Sequence, residues 1–559
     1  MLALIIAFFA ILFSCLSFGF FFLKLLKTNS SLIITILSGL AIITTISQLI
    51  SLFHPLDGVA LIFILLTGLA LFISQSKSNY VKLTKNLKDN KFSVLLALPF
   101  LYIGFLISLE PPLHYDTGLY HFQFVLWHNK YPIVPGLANL HGRLGFNNAI
   151  LCTHSVYNFV DIFKQPIFAL NYFLFFIGTL YFIKTIVSNY HNNQNKIKFQ
   201  NLANLLLFGG FLILAVDLSS PAPDYAANVI LMIMVSTLFN QKPQFTLDWI
   251  PYLIISVFLI TVKLSMIPVI FITLYGLYNL FKEEKKLFLI TTLFALIVAA
   301  IWVLRNYILS GWLLYPFPHL NFSNPEWQVP ANIVRSEADA IAGWARVPGM
   351  DINISSKLPF IEWFPVWWSR ANYGKMYIIL CLLSILVSFY IMFRNKIIKN
   401  YLVKVLITTN IVGFFFWFIM APDFRFSIGF IFLTIVMPFY YLDGVFDTMP
   451  QKYNAILFVL LFFYLGLLTT KHFLILKGNA FPSWISGRYK LPKNLEYVGR
   501  QKMDSFQLRD VTFYFPYKSD VTKDFRCYDQ CIPCIPTRDT GIGFLGSDLR
   551  DGFYRKINK

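Results

Sequence analysis

The feature that most constrains this chain is a series of apolar runs, most of them near the length that crosses hydrocarbon, separated by short polar stretches. They fall at about 2–23, 32–53, 57–74, 92–109, 166–188, 202–219, 225–240, 248–262, 264–281, 286–304, 376–393, 403–420, 426–443 and 453–470, roughly 14 by a hydropathy reading. The two around Lys263 are short enough to be one broken helix. The runs predict an all-α polytopic membrane protein of about 12–14 transmembrane helices. Only 13% of the 559 residues are charged and 57% are hydrophobic, which excludes an ordinary soluble enzyme. The formal charge of +19 gathers between the runs, so it reads as topology and lipid contact, not as nucleic-acid binding.

Charge placement then orients the chain. The first run carries Lys24 and Lys27 after it and no Lys or Arg before it, and it has no small-residue cleavage site, so it predicts a retained helix with its N-terminus outside. The connection 75–91 holds Lys77, Lys82, Lys85, Lys88 and Lys91, and alternate later connections hold Lys196 and Lys198, Lys282, Lys285 and Lys286, and Arg394, Lys396, Lys399 and Lys404. By the positive-inside rule these are cytoplasmic. The segments 110–165, 305–375 and 471–559 then lie outside, with the C-terminus extracytoplasmic. One domain boundary is expected: a transmembrane domain over 1–470 and an extracytoplasmic tail over 471–559. Aromatic stretches such as Phe513-Tyr514-Phe515 predict a small mixed α/β tail domain.

Cysteine usage follows this division. Cys15, Cys152 and Cys381 lie in apolar sequence and read as buried packing residues. Cys527, Cys531 and Cys534 cluster in the outer tail, where an oxidising compartment favours one bridge and one free thiol over a metal knuckle that lacks a fourth ligand nearby.

Three constellations carry candidate chemistry. In Glu110-Pro-Pro-Leu-His-Tyr-Asp-Thr-Gly-Leu-Tyr-His121, Asp116 is the candidate base, with His114, Tyr120 and His121 beside it. The same Asp116 is also a natural cap for an amphipathic interfacial helix over 119–128, with His121, Phe124 and His128 on one face. His114 and His121 flank the acid closely enough to consider a divalent metal, although structural histidines are the commoner outcome and no metal is expected. In the second, Arg305, Asn306, Gly311 and Tyr315 mark a span end where an arginine either snorkels to headgroups or sits in a shaped pocket. In the third, Asp423 and Arg425 share a short turn and either pair with each other or act on a ligand. Lys263 is a charge inside apolar sequence, which by default marks function, while Asp217 and Asp224 are explained by capping and turn formation. No Walker loop, dinucleotide glycine fingerprint or HExxH helix occurs in a fitting context, so nucleotide donors, zinc hydrolysis and a bound cofactor find no support.

At these residues the chain resembles the GT-C superfamily of polytopic glycosyltransferases. The match rests on the segment around Asp116, on Arg305-Asn-Tyr with Gly311 and Tyr315-Pro316, on Lys263-Leu-Ser-Met-Ile-Pro268, and on Ala421-Pro-Asp-Phe-Arg425-Phe, covering about 90–445 through short motifs. The resemblance implies transfer of a sugar from a polyprenyl-phosphate donor to a cell-envelope acceptor, outside a bacterial cytoplasmic membrane and with inversion. Asp116 would then be the base or the acid that positions the acceptor, and Arg305, Arg425 and Lys263 would contact donor phosphate. Two departures stand out: three runs precede the helix that leads into Asp116 where the family commonly has one, and the acid is not part of an acidic pair. A lipid-linked glycan flippase or other transporter, and an O-antigen-type polymerase, are the rival readings.

Overall fold

A computed structural model describes residues 1–28, 30–74, 89–110, 112, 114–192, 198–240, 243, 246–372, 374–393, 401–442, 503–517 and 525–556. The expected run at 453–470, the boundary near 471, and most of the basic connections (Lys77, Lys82, Lys85, Lys88, Lys196, Arg394, Lys396 and Lys399) lie outside these residues.

Every apolar run within the described residues is helical. The elements are α1 (Leu2–Leu25), α2 (Leu32–Ile50), α3 (Gly58–Ile73), α4 (Lys91–Ser108), α5 (Phe122–Lys130), α6 (Ala149–Val156), α7 (Leu170–Asn192), α8 (Phe199–Ile213), α9 (Pro223–Asn240), α10 (Trp249–Val262), α11 (Ile270–Glu283), α12 (Lys285–Ser310), α13 (Ala331–Arg346), α14 (Phe360–Arg370), α15 (Gly374–Phe393), α16 (Tyr401–Met420) and α17 (Ile428–Leu442). Eight helices among the described residues are long and apolar enough to cross a membrane, and the bent pair α14 and α15 raises the count to nine if it forms one span. Apolar runs 57–74, 248–262 and 426–443 form shorter helices, because Asp57 caps the first, Lys263 ends the second in extended backbone, and the Asp423 turn shortens the third.

The short pair around Lys263 is not one broken helix. Helices α10 and α11 pack side by side, with the Ser256 and Thr273 hydroxyls 2.7 Å apart and Trp249 edge-on to Tyr275. Elsewhere α1 lies along α2, α4 along α7, and α17 against α8, α9 and α15. Glycines set the closest approach, since a Cβ at Gly19 or Gly39 would run into the backbone of the facing α2 or α1.

Helix α12 also moves a boundary. It runs on to Ser310 and is stopped by Gly311 in the left-handed region at φ 79°, so the segment read as starting at 305 begins at 311. Arg305 and Asn306 therefore sit inside a helix, facing the bundle.

The segment after α4 doubles back at one end of the bundle through a π-helical turn, Thr117–His121, and then α5 and α6. The tail packs on this end. Its hairpin pairs β1 (Met503–Leu508) with β2 (Val511–Pro516), in register Met503 to Pro516, and a second antiparallel pair joins β3 (Ile542–Phe544) to β4 (Phe553–Arg555). Among the described tail residues the elements are these strands and one 3-10 turn, Leu549–Asp551. Aromatic contacts Phe506–Phe513–Phe544–Phe553–Trp127 carry the tail core onto α5.

Candidate functional site

The chain leaves α4, turns, and enters the π-helical turn with Asp116 immediately before it. Although Asp is a standard cap, its side chain makes no cap bond here. The carboxylate instead meets the Arg425 guanidinium at 3.1 Å. That guanidinium also donates to His114 Nε2 at 2.7 Å and lies 3.1 Å from the Asp423 carboxylate. Asp423 caps its own turn by accepting from the Arg425 backbone N–H, so it shapes the loop and balances the cation together. Of the two expected uses of this turn, the internal pair is present, and the same arginine also reaches a second acid.

Lys263 stands where α10 ends, its backbone extended at φ −156°. Its ammonium pairs with Asp224 and lies 3.8 Å from the centre of the Phe426 ring. Asp224 opens α9, and one turn later Asn228 donates to the Arg425 carbonyl at 2.9 Å and accepts from the Gly429 N–H at 2.8 Å. One helix face thus fixes both cations: Asp224 holds the side chain of Lys263, and Asn228 holds the backbone beneath Arg425.

These groups surround a cavity of about 240 Å³. Asp116, Tyr120, His121, Arg143, Asp224, Lys263, Tyr315 and Arg425 line its polar part; Phe317, Ile341, Ala342, Phe416 and Met420 line an apolar part from the Gly311 loop, α13 and α16. Each lining cation already has a carboxylate: Arg143 with Glu337 at 3.0 Å, Lys263 with Asp224, and Arg425 with Asp116 and Asp423. Burial by itself would raise the Asp116 carboxyl, but the charges of Arg425, His114, Arg143 and His121 outweigh it and hold the group at about 2. His121 is lowered too, to about 3, chiefly by burial, with Asp116 opposing, so its ring is neutral at pH 7. Its Nε2 and the Tyr315 hydroxyl are buried and find no hydrogen-bond partner within the protein. Both belong to residues that line the cavity, with hydrogen-bonding capacity left unfilled.

Arg305 and Asn306 are not on the cavity surface. Arg305 is fully buried, its guanidinium donating to Ser51, to Asn147 Oδ1 at 3.0 Å and to His128 Nε2 at 2.9 Å. His128 accepts because burial, reinforced by Arg305, lowers it to about 3, while its Nδ1–H donates to the Phe124 carbonyl at 2.9 Å. Asn147 lines the cavity and is clamped from behind by Arg305 and by reciprocal bonds with Trp302. Arg305 thus supports the wall and is removed from the expected phosphate contacts. The expected interfacial helix is likewise corrected: α5 is inserted into the protein, with Phe124 and His128 buried and stacked at 4.0 Å.

Three residues of the site were not singled out for chemistry: Arg143 and Asp224 on the cavity lining, and Glu337 paired to Arg143. Arg143 is, with Lys130 and Lys164, one of the basic residues in 110–165, and that placement was its one visible signal. Asp224 was visible but explained as a cap. Glu337, the partner of Arg143, lies in an amphipathic helix with nothing local to mark it. In the tail, Cys527 and Cys534 form the disulfide and Cys531 is exposed and unbridged. Among the described residues no three His, Cys, Asp or Glu side chains group as metal ligands.

No curated protein and no solved structure significantly matches this chain. Residues 1–432 match the family model described as Domain of unknown function (DUF8201), and the chain belongs to that family.

Proposed function

We propose that this protein is a GT-C-like membrane glycosyltransferase that moves a sugar from a polyprenyl-phosphate-linked donor to a glycan or lipid acceptor of the cell envelope. The observation that carries the reading is the Asp116–Arg425 pair on a cavity that is charged on one side and apolar on the other. A lipid-borne phosphate needs both surfaces.

In the proposed reaction an acceptor hydroxyl attacks the anomeric carbon. The new C–O bond forms as the sugar–phosphate bond breaks, the hydroxyl proton passes to Asp116, and configuration inverts. Arg425, Lys263 and Arg143 stabilise the departing phosphate. A carboxylate held at about 2 is a weak base in the empty site. Donor phosphate drawing on Arg425 would relieve that hold and raise the basicity of Asp116 when the acceptor arrives. His121 Nε2 and the Tyr315 hydroxyl supply neutral contacts for sugar hydroxyls. The apolar wall takes the first isoprene units. No metal or cofactor enters the scheme.

In this reading the cavity opens outside a bacterial cytoplasmic membrane, following the basic connections on the opposite side. The test is a deletion strain complemented with wild type or Asp116→Asn, profiled for surface glycan and polyprenyl-phosphate-linked sugars. Accumulated lipid-linked sugar and lost glycan, restored by wild type and at least 100-fold less well by the variant, are expected. Full complementation by Asp116→Asn overturns the reading in favour of a transporter. Shortened chains with single-unit transfer intact point to a polymerase.

A further inference from the structure

The turn that carries Asp116 is held from outside as well as by its own hydrogen bonds. Gly118, two residues on, accepts from the Tyr528 backbone N–H at 2.8 Å. Gln123 donates to the carbonyls of Tyr528 at 3.2 Å and Gln530 at 2.8 Å, so both ends of the π-helical turn are tied to one tail loop. A Cβ at Gly118 would lie 2.6 Å from the Tyr528 ring, and the Arg526 guanidinium covers the rings of both Tyr528 and Tyr115 at about 5 Å. Tyr528 occupies the left-handed region at φ 47°, a conformation unfavourable for a residue with a side chain unless its surroundings enforce it. The Cys527–Cys534 bridge closes the loop on either side of Tyr528. Tyr514 of β2 then fixes the loop to the hairpin, donating to Pro533 at 3.0 Å and accepting from Ile535 at 2.9 Å.

We propose that the disulfide-closed loop 527–534 is a brace for the Asp116 turn, with Tyr528 as a positioning residue, and that the site keeps its geometry only while the bridge is oxidised. The positioning role rests on the reading of Asp116 as the reactive acid; the brace does not. π-helical turns are rare and poorly self-stabilised, which is why this one needs an outside partner. Two electrons and two protons from a dithiol convert the bridge to two thiols and release Tyr528 from its enforced backbone.

The experiment is hydrogen exchange by mass spectrometry on the full chain in detergent, comparing wild type with Cys527→Ser/Cys534→Ser, and folded wild type before and after dithiothreitol. Peptides over 114–124 are expected to exchange at least tenfold faster without the bridge, while those of α7 and α9 stay unchanged. Cys531→Ser, outside the bridge, changes neither. In the complemented deletion strain, glycan per copy of protein falls at least fivefold in the double variant and in Tyr528→Ala, and Tyr528→Phe restores it. Unchanged exchange over 114–124 overturns the brace, whatever the strain shows. Faster exchange with full glycan overturns the positioning role. If Asp116→Asn is also silent in the strain, the glycosyltransferase reading fails while the exchange result still decides the brace.

Discussion

Asp116 and Arg425, from turns far apart in the chain, meet at 3.1 Å with the carboxylate side chain only 15% exposed. The contact converts an apparent helix cap into a charged group of the cavity wall. It also sets how the site responds to pH.

Burial pushes the Asp116 carboxyl up and Arg425 pulls it further down, to about 2. A carboxyl lowered on folding stabilises the protein above its unfolded value near 4, and that contribution is lost as pH falls through about 2. At limiting donor, where the free enzyme sets the profile, transfer by the wild type should therefore show no acid limb from this group between pH 4 and 7. In Arg425→Gln, burial is left unopposed by its main partner and an acid limb should enter that window. A pH series of transfer rates in membranes at limiting donor checks both; an acid limb near pH 5 in the wild type under that condition would contradict the pairing.

The two arginines should separate stability from activity. Arg305→Ala removes a fully buried cation and leaves Ser51, Asn147 and His128 short of partners, at a cost of about 3 kcal/mol or more. Arg425→Ala, at a partly exposed site, should cost about 1 kcal/mol yet lower transfer at least 100-fold. Thermal unfolding in detergent, set beside glycan restoration, reads the two orders. Equal melting temperatures for the two variants would rule out the wall-support role.

Asp224 and Lys263 should behave as a coupled pair. Asp224→Asn or Lys263→Met leaves a buried partner uncompensated and costs about 3 kcal/mol each. In the double variant the losses should fall well short of their sum, with a coupling of about 1–3 kcal/mol in a double-mutant cycle. Additive losses would show that the contact carries no energy.

Arg143 and Glu337 allow a pH test of the opposite sign. Burial raises the Glu337 carboxyl and Arg143 opposes the rise. In Arg143→Met the opposition is gone, so folding should favour the protonated acid and stability should fall as pH rises from 5 to 8. Glu337→Gln added to that variant should flatten the profile, as melting temperatures across that range would show.

Helical periodicity and apolar length settled which stretches are helical, because those depend on neighbours a few residues apart. They do not resolve where Asp57, Lys263 and the Asp423 turn end helices, since hydropathy averages over such ends. His114, Asp116, Lys263 and Arg425 were legible as candidates because polar groups beside apolar runs are few. Arg305 looked equivalent, and only the continuation of α12 to Gly311 turned it into the bundle. Arg143 and Glu337 gained meaning from each other, across the 3-10 turn Gly142–Gly145 and α13. The sequence by itself determined a helical, apolar chain with most of its candidate site residues in the connecting segments. The tertiary structure decided which charges meet, because ion pairing acts over a few ångströms of space and is indifferent to separation along the chain.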